Sequence, residues 1–490
     1  MVNKDLEKYF SPFRDNIIGQ NLMYPFDGRN RKLIYADWAA SGRMYQPVEN
    51  FITHSIGPFV ANTHTETTLT GNVMTDLYHQ SKNIFKKHVN AGENDVILFA
   101  GFGMTAAVNK LQRILGLRVY EGYRNIVMPV QKQKRVLVIL THMEHHSNQT
   151  SWLECLCDVE IIKRAEDGTP DLTHLEELLI SNKERERIIG SFTACSNVTG
   201  IVTPYYEMAE LMHKYNRLCF VDFAGSAPYV NIDMHPEKEA QKLDAIFFSP
   251  HKFLGGPGSS GVTIFNKSLY FNSIPDNPGG GTVKWTNPWG GRQYFNDIEI
   301  REDGGTLGFL QAIKGAIAVL LKEKMGVENI LAREHELIKH LFNGLQKIEN
   351  LKVLEIENQN RIGFISFYVP GIHHNLIVRL LSDKYGIQSR GGCSCAGTYG
   401  HILFNIDRVE SGRITSMIDN GDLSEKPGWV RISLHPTMQN WEIDYIINAL
   451  ENIINDHVRL SDNYRFIEGK GDFVPLSENE FSIQLSDLGI

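Results

Sequence analysis

Short apolar runs alternate with segments of helical periodicity through the middle of this 490-residue chain. The runs are rich in Val, Ile, Leu and Phe, and they predict buried strands at 135–140, 187–193, 218–221 and 245–248. Between them, residues 172–179 and 206–215 carry apolar side chains at helical spacing. Strands that alternate with helices predict an α/β fold, with a parallel sheet that is covered by helices on both faces.

The pattern changes near Gly304-Gly305, where a long helical stretch begins and runs to Met325. We interpret this stretch as the connection to a second domain. Beyond it, predicted helices at 334–345, 375–385 and 441–454 accompany a predicted strand at 362–368. The predicted organisation is an N-terminal segment that packs with the small domain (1–35), a large domain (36–325), a smaller α+β C-terminal domain (326–468) and a polar tail (469–490).

Composition is that of an ordinary globular protein, with 42% hydrophobic and 22% charged residues. The net charge of −8 gives no electrostatic case for nucleic acid or for an anionic membrane surface. No apolar run approaches about 18 residues, and the first residues lack the apolar segment of a signal peptide. The six cysteines are sparse and include no C-x-x-C pair, so we expect no structural metal and a reducing, cytoplasmic location.

Polar or reactive residues follow each predicted central strand directly. In open α/β sheets, ligands bind beyond the carboxyl ends of the strands, so these residues predict one site. They are Thr141 to Asn148, Ala194 to Gly200, Asp222 to Ser226 and Ser249 to Lys252.

Lys252 is the most informative of these residues, because it lies between a buried strand and a Gly-rich turn. An amine that loses water at such a position becomes a nucleophile toward carbonyl groups. Many pyridoxal-phosphate (PLP) enzymes present their Schiff-base lysine in this way. A PLP site also needs an acid beside the pyridine nitrogen, and Asp222 suits that role. The alternatives are a solvated lysine and a helix N-cap aspartate.

The other parts of a PLP site also have candidates. His145 is placed to cover the ring and move protons, and Asn197 to donate a hydrogen bond near the ring oxygen. A surface histidine or a metal ligand is the alternative for His145. The phosphate needs N–H groups at a helix start, with hydroxyl and imidazole donors nearby. The candidates for the phosphate site are Gly101, Gly103, Met104, Thr105, Ser249 and His251.

A late segment, 388–401, combines Cys393, Cys395, Arg390 and several glycines. Cationic neighbours favour the reactive thiolate, and glycines allow a mobile loop. Two small residues in a buried turn are the alternative. Arg431 lies on a predicted apolar strand, where its planar fork fits an α-carboxylate, unless it forms a structural salt bridge.

Taken in order, these motifs resemble the class V aminotransferase family. The series is the phosphate turn, Glu-His-His, Ser-Asn-Val, Val-Asp-x-Ala, Ser-x-His-Lys and Arg-x-Gly-x-x-Cys-Ala. Over about residues 33–457 the chain looks most like group II cysteine desulfurases and selenocysteine lyases. The resemblance implies PLP-dependent transferase fold type I, with a mostly parallel seven-stranded large domain, a smaller C-terminal domain and a homodimer.

The resemblance also implies a role for each candidate. Lys252 matches the Schiff-base lysine, Asp222 the pyridinium partner and His145 the stacking histidine. Cys395 matches the sulfur-accepting cysteine. Asn197 matches the ring contact, and Arg390 and Arg431 match the substrate-binding arginines. Thr282 belongs to a segment, Gly279–Thr282, that resembles one reaching the phosphate of the partner subunit. The phosphate contacts are matched by Gly103, Met104, Thr105, Ser249 and His251.

The activity implied is removal of sulfur or selenium from L-cysteine or L-selenocysteine, giving L-alanine through a Cys395 persulfide. Its partners are the amino-acid substrate and a possible sulfur-acceptor protein. Two departures favour an alternative: Gly225 replaces the family's usual Gln, and stretch 401–427 resembles an insertion. That alternative is an epimerase, transaminase or lyase of the same family acting on another amino acid. A third, non-catalytic hypothesis is opposed by the intact Lys252.

Overall fold

The structure is a computed structural model that describes residues 5–63, 66–477 and 482–488. The helices in this part of the chain are α1 Leu6–Arg14, α2 Gln46–Asn50, α3 Leu69–His88, α4 Met104–Ile114, α5 Glu121–Val127, α6 His146–Leu153, α7 Leu172–Ser181, α8 Tyr205–Lys214, α9 Ile298–Glu302, α10 Phe309–Met325, α11 Val327–Leu345, α12 His374–Tyr385, α13 Gly397–Leu403, α14 Arg408–Asp419 and α15 Asn440–Ser461. The strands are β1 Met23–Phe26, β2 Arg29–Lys32, β3 Ile34–Tyr35, β4 Asp95–Ala100, β5 Val136–Leu140, β6 Cys157–Ile161, β7 Ile188–Thr193, β8 Leu218–Asp222, β9 Ala245–Phe248, β10 Gly261–Asn266, β11 Val283–Thr286, β12 Arg292–Tyr294, β13 Lys352–Val353, β14 Phe364–Tyr368, β15 Ile387–Gln388, β16 Arg390–Gly392, β17 Trp429–Ser433, β18 Tyr464–Ile467 and β19 Asp472–Pro475.

The chain forms two compact units. The large unit contains residues 41–196 and 201–327, and the small unit contains 1–40, 197–200 and 328–490. The domain boundaries predicted from the sequence stay predictions. Among the described residues, no helix has the length and apolar character needed to cross a membrane.

A seven-stranded sheet in the order β4-β10-β9-β8-β7-β5-β6 is the centre of the large unit. Neighbours from β6 to β9 run parallel, and β10 runs antiparallel to both β9 and β4. The prediction of an α/β fold with a mostly parallel sheet is therefore confirmed. The four predicted central strands are β5, β7, β8 and β9, each within one residue of its predicted ends.

The sheet separates two hydrophobic cores, because successive side chains of a strand point to opposite faces. In β5, Leu137 and Ile139 lie in one core, and Val138 and Leu140 lie in the other. Helices α3, α7, α8 and α10 contribute to the first core, and α4 and the end of α6 contribute to the second. Helices therefore cover both faces of the sheet.

The small unit is built on a second sheet, β13-β14-β17-β16, whose neighbours all run antiparallel. A capping box at Gln439 starts its longest helix, α15. The stretch 401–427 includes the last three residues of α13 and all of α14. The predicted tail contains β19, which pairs with β18, and residues 478–481 and 489–490 of the tail lie outside the described part.

Lys322 on α10 is a buried cation that supports the turn after β8. Its Nζ donates to the carbonyl oxygens of Ala227 at 2.7 Å and Val230 at 2.5 Å. Burial lowers the pKa of Lys322 to about 7. The amine therefore serves two backbone acceptors, of which Ala227 is buried and Val230 partly buried.

Replacing Lys322 with Met is expected to lower the free energy of unfolding by about 2 kcal/mol, because one buried and one partly buried carbonyl group lose their donor. Urea denaturation measures the change. Lys324→Met is the matched control, because Lys324 is exposed on the same helix. Equal stabilities of the two variants would contradict the role given to Lys322.

Candidate functional site

Asp222 and Lys252 lie at the carboxyl ends of the adjacent parallel strands β8 and β9. Asp222 is the last residue of β8, and Lys252 ends a single 3₁₀ turn that begins two residues after β9. The two strands pair in register, with Asp222 opposite Phe247. The sheet topology therefore brings the predicted acid and lysine to one edge.

Burial is the largest influence on the pKa of the Asp222 carboxyl group. Its side chain is enclosed, and Oδ1 accepts a hydrogen bond from the Ala224 N–H at 2.8 Å. Burial raises the pKa of Asp222 to about 6, while that hydrogen bond and the charge of Lys252 lower it. Ser226, beside the unusual Gly225, is also buried, and no described residue hydrogen-bonds its Oγ.

The predicted phosphate turn joins β4 to the N-terminus of α4. The Met104 N–H donates to Ser249 Oγ at 2.8 Å, so the turn is tied to the segment that carries Lys252. A Cβ atom on Gly103 would lie 3.3 Å from Ser249 Oγ and 3.7 Å from the His251 ring. Helix N-terminal N–H groups beside a hydroxyl and an imidazole form a donor set that suits a phosphate. The structure brings Gly103, Met104, Ser249 and His251 together.

His251 is neutral near pH 7. Burial, followed by the neighbouring charge of Lys252, lowers the pKa of His251 to about 4. A neutral imidazole contributes one N–H donor and one acceptor to the turn. The predicted Thr105 lies on the first turn of α4, with its Oγ1 2.7 Å from Ser147 Oγ.

His145 is the N-cap residue of α6, just past β5. Its Nδ1 accepts a hydrogen bond from the Ser147 N–H at 3.1 Å. This contact fixes the neutral tautomer with its proton on Nε2. His145 therefore lies at the same edge of the sheet as Asp222, on a helix start that limits the motion of its ring.

Glu144 belongs to the Glu-His-His segment, which by itself predicts no separate role for this residue, and it is buried beside His145. Its Oε1 accepts from the N–H and hydroxyl of Thr141 and from the Thr193 N–H, and its Oε2 accepts from Asn148 Nδ2 at 2.8 Å. Burial raises the pKa of Glu144 to about 7, although these hydrogen bonds oppose the shift. Glu144 ties the ends of β5 and β7 to α6 and so positions His145.

Thr282 has its hydrogen bonds within its own loop. Its Oγ1 donates to the Gly279 carbonyl at 2.7 Å and accepts from the Gly279 N–H at 3.3 Å. The side chain is buried, next to the β11–β12 hairpin. The role of Thr282 toward a partner subunit stays a prediction.

In the small unit, Cys395 lies on a tight turn with an uncommon backbone conformation. Ser394 and Cys395 have φ values of 49° and 57°, in the left-handed region that L-residues rarely adopt. The Ala396 N–H donates to the Cys393 carbonyl at 2.9 Å and closes the turn. Cys395 is exposed, whereas Cys393 is half-buried. The turn thus presents one of the two thiols to solvent.

Two side chains hold this turn through Ser394. Trp429 is fully buried, and its Nε1 donates to Ser394 Oγ at 3.2 Å. Asn197 Nδ2 donates to the Ser394 carbonyl at 2.7 Å, and its buried Oδ1 has no partner in the described chain. Strain of this kind is held at functional sites by surrounding contacts.

Arg431 and Arg390 meet on the same side of the small sheet. Arg431 is buried; its Nη1 donates to the Asn197 carbonyl at 2.9 Å and its Nη2 pairs with Asp37 at 2.8 Å. Arg390 pairs with Asp37 as well, at 3.0 Å. Each guanidinium interacts electrostatically with Cys395. Asp37 has no functional signal in the sequence, because its partners are 353 and 394 residues away along the chain.

The predicted residues therefore form two groups. The large unit holds Lys252, Asp222, His145, Thr282 and the phosphate-turn residues Gly103, Met104, Thr105, Ser249 and His251. The small unit holds Asn197, Arg390, Cys395 and Arg431. The first group can hold an anionic ligand beside an amine, and the second can bind a carboxylate beside a thiol.

Comparison with known proteins gives one family. The aminotransferase class-V model matches residues 34–446. A probable cysteine desulfurase from Halalkalibacterium halodurans is 26% identical over 369 residues, which are 74% of this chain and 84% of the relative. A cysteine desulfurase from Synechococcus elongatus is 26% identical over 371 residues, which are 75% of this chain and 55% of the relative.

Solved structures agree with the fold. The apo structure of a cysteine desulfurase from Thermococcus onnurineus superposes with a TM-score of 0.70 at 22% identity, covering 91% of this chain and 98% of that chain. The Escherichia coli cysteine desulfurase CsdA superposes with a TM-score of 0.65 at 20% identity, covering 86% of this chain and 94% of that chain. At these identities the likeness establishes the architecture.

Proposed function

Because this chain belongs to the aminotransferase class-V family, whose members are PLP-dependent enzymes, we propose that it is a PLP-dependent cysteine desulfurase or selenocysteine lyase. Its substrate is L-cysteine or L-selenocysteine, and its products are L-alanine and a sulfur or selenium atom held on Cys395. The names of the curated relatives support this substrate class.

The residues of the large unit fit PLP. Asp222 suits the ring nitrogen, Lys252 the aldehyde carbon, and the Gly103–Thr105 turn with Ser249 and His251 the phosphate. Gly103 leaves the close approach that a phosphate needs, since a Cβ there would press on Ser249 Oγ. When bound, PLP delocalises the electron pair left on the substrate's α-carbon.

Each residue of this group has a defined task. Lys252 would hold the cofactor through its side-chain amine, and that amine, when free, would remove the α-proton of the substrate. Asp222 keeps a proton on the ring nitrogen. His145 covers the ring and, through Nε2–H, donates to the substrate side of the site.

The small-unit residues act on the ends of the substrate. Arg431 and Arg390 bind the α-carboxylate. The Cys395 thiolate attacks the substrate sulfur, so a sulfur–sulfur bond forms while the carbon–sulfur bond breaks. Protonation of the carbon skeleton then gives L-alanine, and Cys395 is left as a persulfide for an acceptor. Overall, cysteine and one protein thiol become alanine and one protein persulfide.

The observation that carries this proposal is the setting of Cys395. An exposed thiol at φ 57°, on a turn fixed by Trp429 and Asn197 and beside two guanidinium groups, is suited to act as a nucleophile. A cysteine that only filled space would lie buried with relaxed backbone angles. The other family chemistries do not require this thiol.

Purified protein with PLP, offered a panel of amino acids, tests the proposal when alanine, sulfide and keto acid are assayed together. L-Cysteine is expected to give alanine and sulfide in equal amounts under a reductant. Keto acid formation from another amino acid would instead identify a transaminase, and racemised substrate an epimerase.

The Asp222→Asn variant is expected to fold but to lose about 100-fold in kcat, because the ring nitrogen loses its proton partner. The cofactor-free variant is also expected to melt higher than wild type at pH 8. The raised folded pKa of about 6 means that ionised Asp222 costs stability, and this cost grows as pH rises from about 4 to 6. Kinetics and thermal melts measure both effects.

Asp158→Asn is the control, because Asp158 pairs with Arg135 and Arg185 elsewhere on the sheet. Its kcat should match that of wild type. A near wild-type turnover of Asp222→Asn would mean that Asp222 is only structural.

We also propose a homodimer, in which the Gly279–Thr282 segment reaches the phosphate site of the partner. Closed two-fold pairing is the commonest assembly of soluble proteins. Light scattering is expected to give twice the 55.6 kDa chain mass. A fully active monomer would contradict the proposal. The cytoplasmic location and a sulfur-acceptor protein stay predictions from the sequence.

A further inference from the structure

Asp37 bridges the two arginines beside Cys395. Its Oδ2 accepts from Arg390 Nε at 3.1 Å and lies 3.0 Å from Arg390 Nη2. Its Oδ1 accepts from Arg431 Nη2 at 2.8 Å. Oδ1 also accepts a longer hydrogen bond from Arg390 Nε, at 3.4 Å. The two cations are therefore joined by one anion.

The sheet register explains why such a bridge is needed. Arg390 on β16 and Arg431 on β17 are directly opposite each other in the antiparallel pair. Like charges at opposed positions destabilise a sheet. Arg431 is only 2% exposed, so its charge is also desolvated. Without a carboxylate between them, Arg390, which is half-exposed, would turn away into solvent.

The backbone places Asp37 rigidly for this contact. Asp37 forms an isolated parallel bridge with Ser433, two residues after Arg431 on the same strand. On either side, the Ser433 N–H donates to the Ala36 carbonyl at 2.7 Å, and the Ala39 N–H donates to Ser433 Oγ at 3.0 Å. The carboxylate is thus fixed relative to β17, which carries one of its two arginines.

The bridge leaves the pair able to take one more anion. Two arginines and one aspartate sum to a charge of +1. Arg431 Nε is buried and has no hydrogen-bond partner in the described chain, so one donor of the enclosed guanidinium is unused. A single carboxylate would supply both the missing charge and an acceptor.

We propose that Asp37 is a positioning residue for substrate binding: it holds Arg390 against Arg431, so that the pair accepts the carboxylate of one amino acid. This inference rests on the proposed function, in which these arginines bind the α-carboxylate. Asp37 acts only through the two arginines and takes no part in bond breaking. It determines how tightly the amino acid is held.

The test measures equilibrium binding of L-alanine, the proposed product, to the PLP-loaded protein by calorimetry. Asp37→Asn and Arg390→Met are each expected to weaken binding about tenfold, which corresponds to the loss of one charge-assisted hydrogen bond. The double variant should be no weaker than either single variant, because both remove the same arrangement. Asp27→Asn, at an exposed pair with Lys384, is the control and should bind as wild type does.

Kinetics with L-cysteine give a second readout. Asp37→Asn should raise KM about tenfold and leave kcat within about twofold, a split that general loss of structure does not produce. Unchanged or tighter L-alanine binding by Asp37→Asn would overturn the inference, as would additive losses in the double variant. If Asp37→Asn fails to fold, unchanged binding by Arg390→Met overturns it equally. Wild-type protein that binds no L-alanine would overturn the proposed function itself.

Discussion

Replacing Lys252 with Ala is expected to lower alanine release by about 10³-fold, the largest effect we predict in the large unit. The variant loses both the covalent attachment point and the base that removes the α-proton. Borohydride reduction of wild type should fix the cofactor on the tryptic peptide that contains Lys252, as shown by mass spectrometry. The variant should retain no cofactor after reduction and denaturation.

Lys238→Ala is the matched control, since Lys238 is an exposed lysine of the same unit that pairs with Glu210. It should keep full activity and full cofactor attachment. Reduced cofactor found on any other lysine of wild type would refute the assignment of Lys252. Activity of Lys252→Ala near the wild-type level would refute its role as base.

The central sheet could be predicted because its signal is local. Strand β9 occupies the predicted residues 245–248, and helix α12 begins one residue before its predicted start. A strand buried on both faces must be apolar along its length, and such runs are visible in sequence. The pairing of β3 with β15 and the antiparallel direction of β10 could not be predicted, since these contacts join distant residues.

The same limit separates the predicted site residues from those that were missed. Lys252 and Asp222 each follow a buried strand, so position and chemistry coincide in the sequence. Asp37 has no such mark. Glu144 also follows a buried strand, but its role depends on partners from β7 and α6. An acid becomes significant only when folding places cations or N–H donors around it.

The hydrogen-bond partners of a polar side chain also could not be predicted from the sequence. The sequence predicts Asn197 as a donor near the ring oxygen, and in the structure one hydrogen of its Nδ2 is donated to the Ser394 carbonyl. Its unpartnered Oδ1 is an acceptor, and the second hydrogen of Nδ2 remains for the proposed contact. Side-chain type limits what a residue can do, and the fold selects among those possibilities.

Cys395 and Cys393 share a turn, and the two thiols differ in exposure and backbone angle. Cys395 is exposed and has a φ of 57°, in the left-handed region. Cys393 is half-buried, and its φ does not lie in that region. Serine matches cysteine in size and keeps the same backbone, so Cys→Ser variants isolate the sulfur atom. They therefore separate the nucleophile from its neighbour without moving Ser394, which Trp429 and Asn197 hold.

The Cys395→Ser variant is expected to bind L-cysteine normally but to release alanine and sulfide about 10³-fold or more slowly, because a hydroxyl cannot replace the nucleophilic thiolate. Cys393→Ser should keep most of the wild-type rate. Spectral titration with L-cysteine measures binding, and coupled assays of both products measure turnover. If Cys395→Ser releases alanine and sulfide at the wild-type rate, the desulfurase proposal fails. An epimerase, transaminase or lyase of another amino acid then takes its place, with Lys252 and Asp222 in unchanged roles.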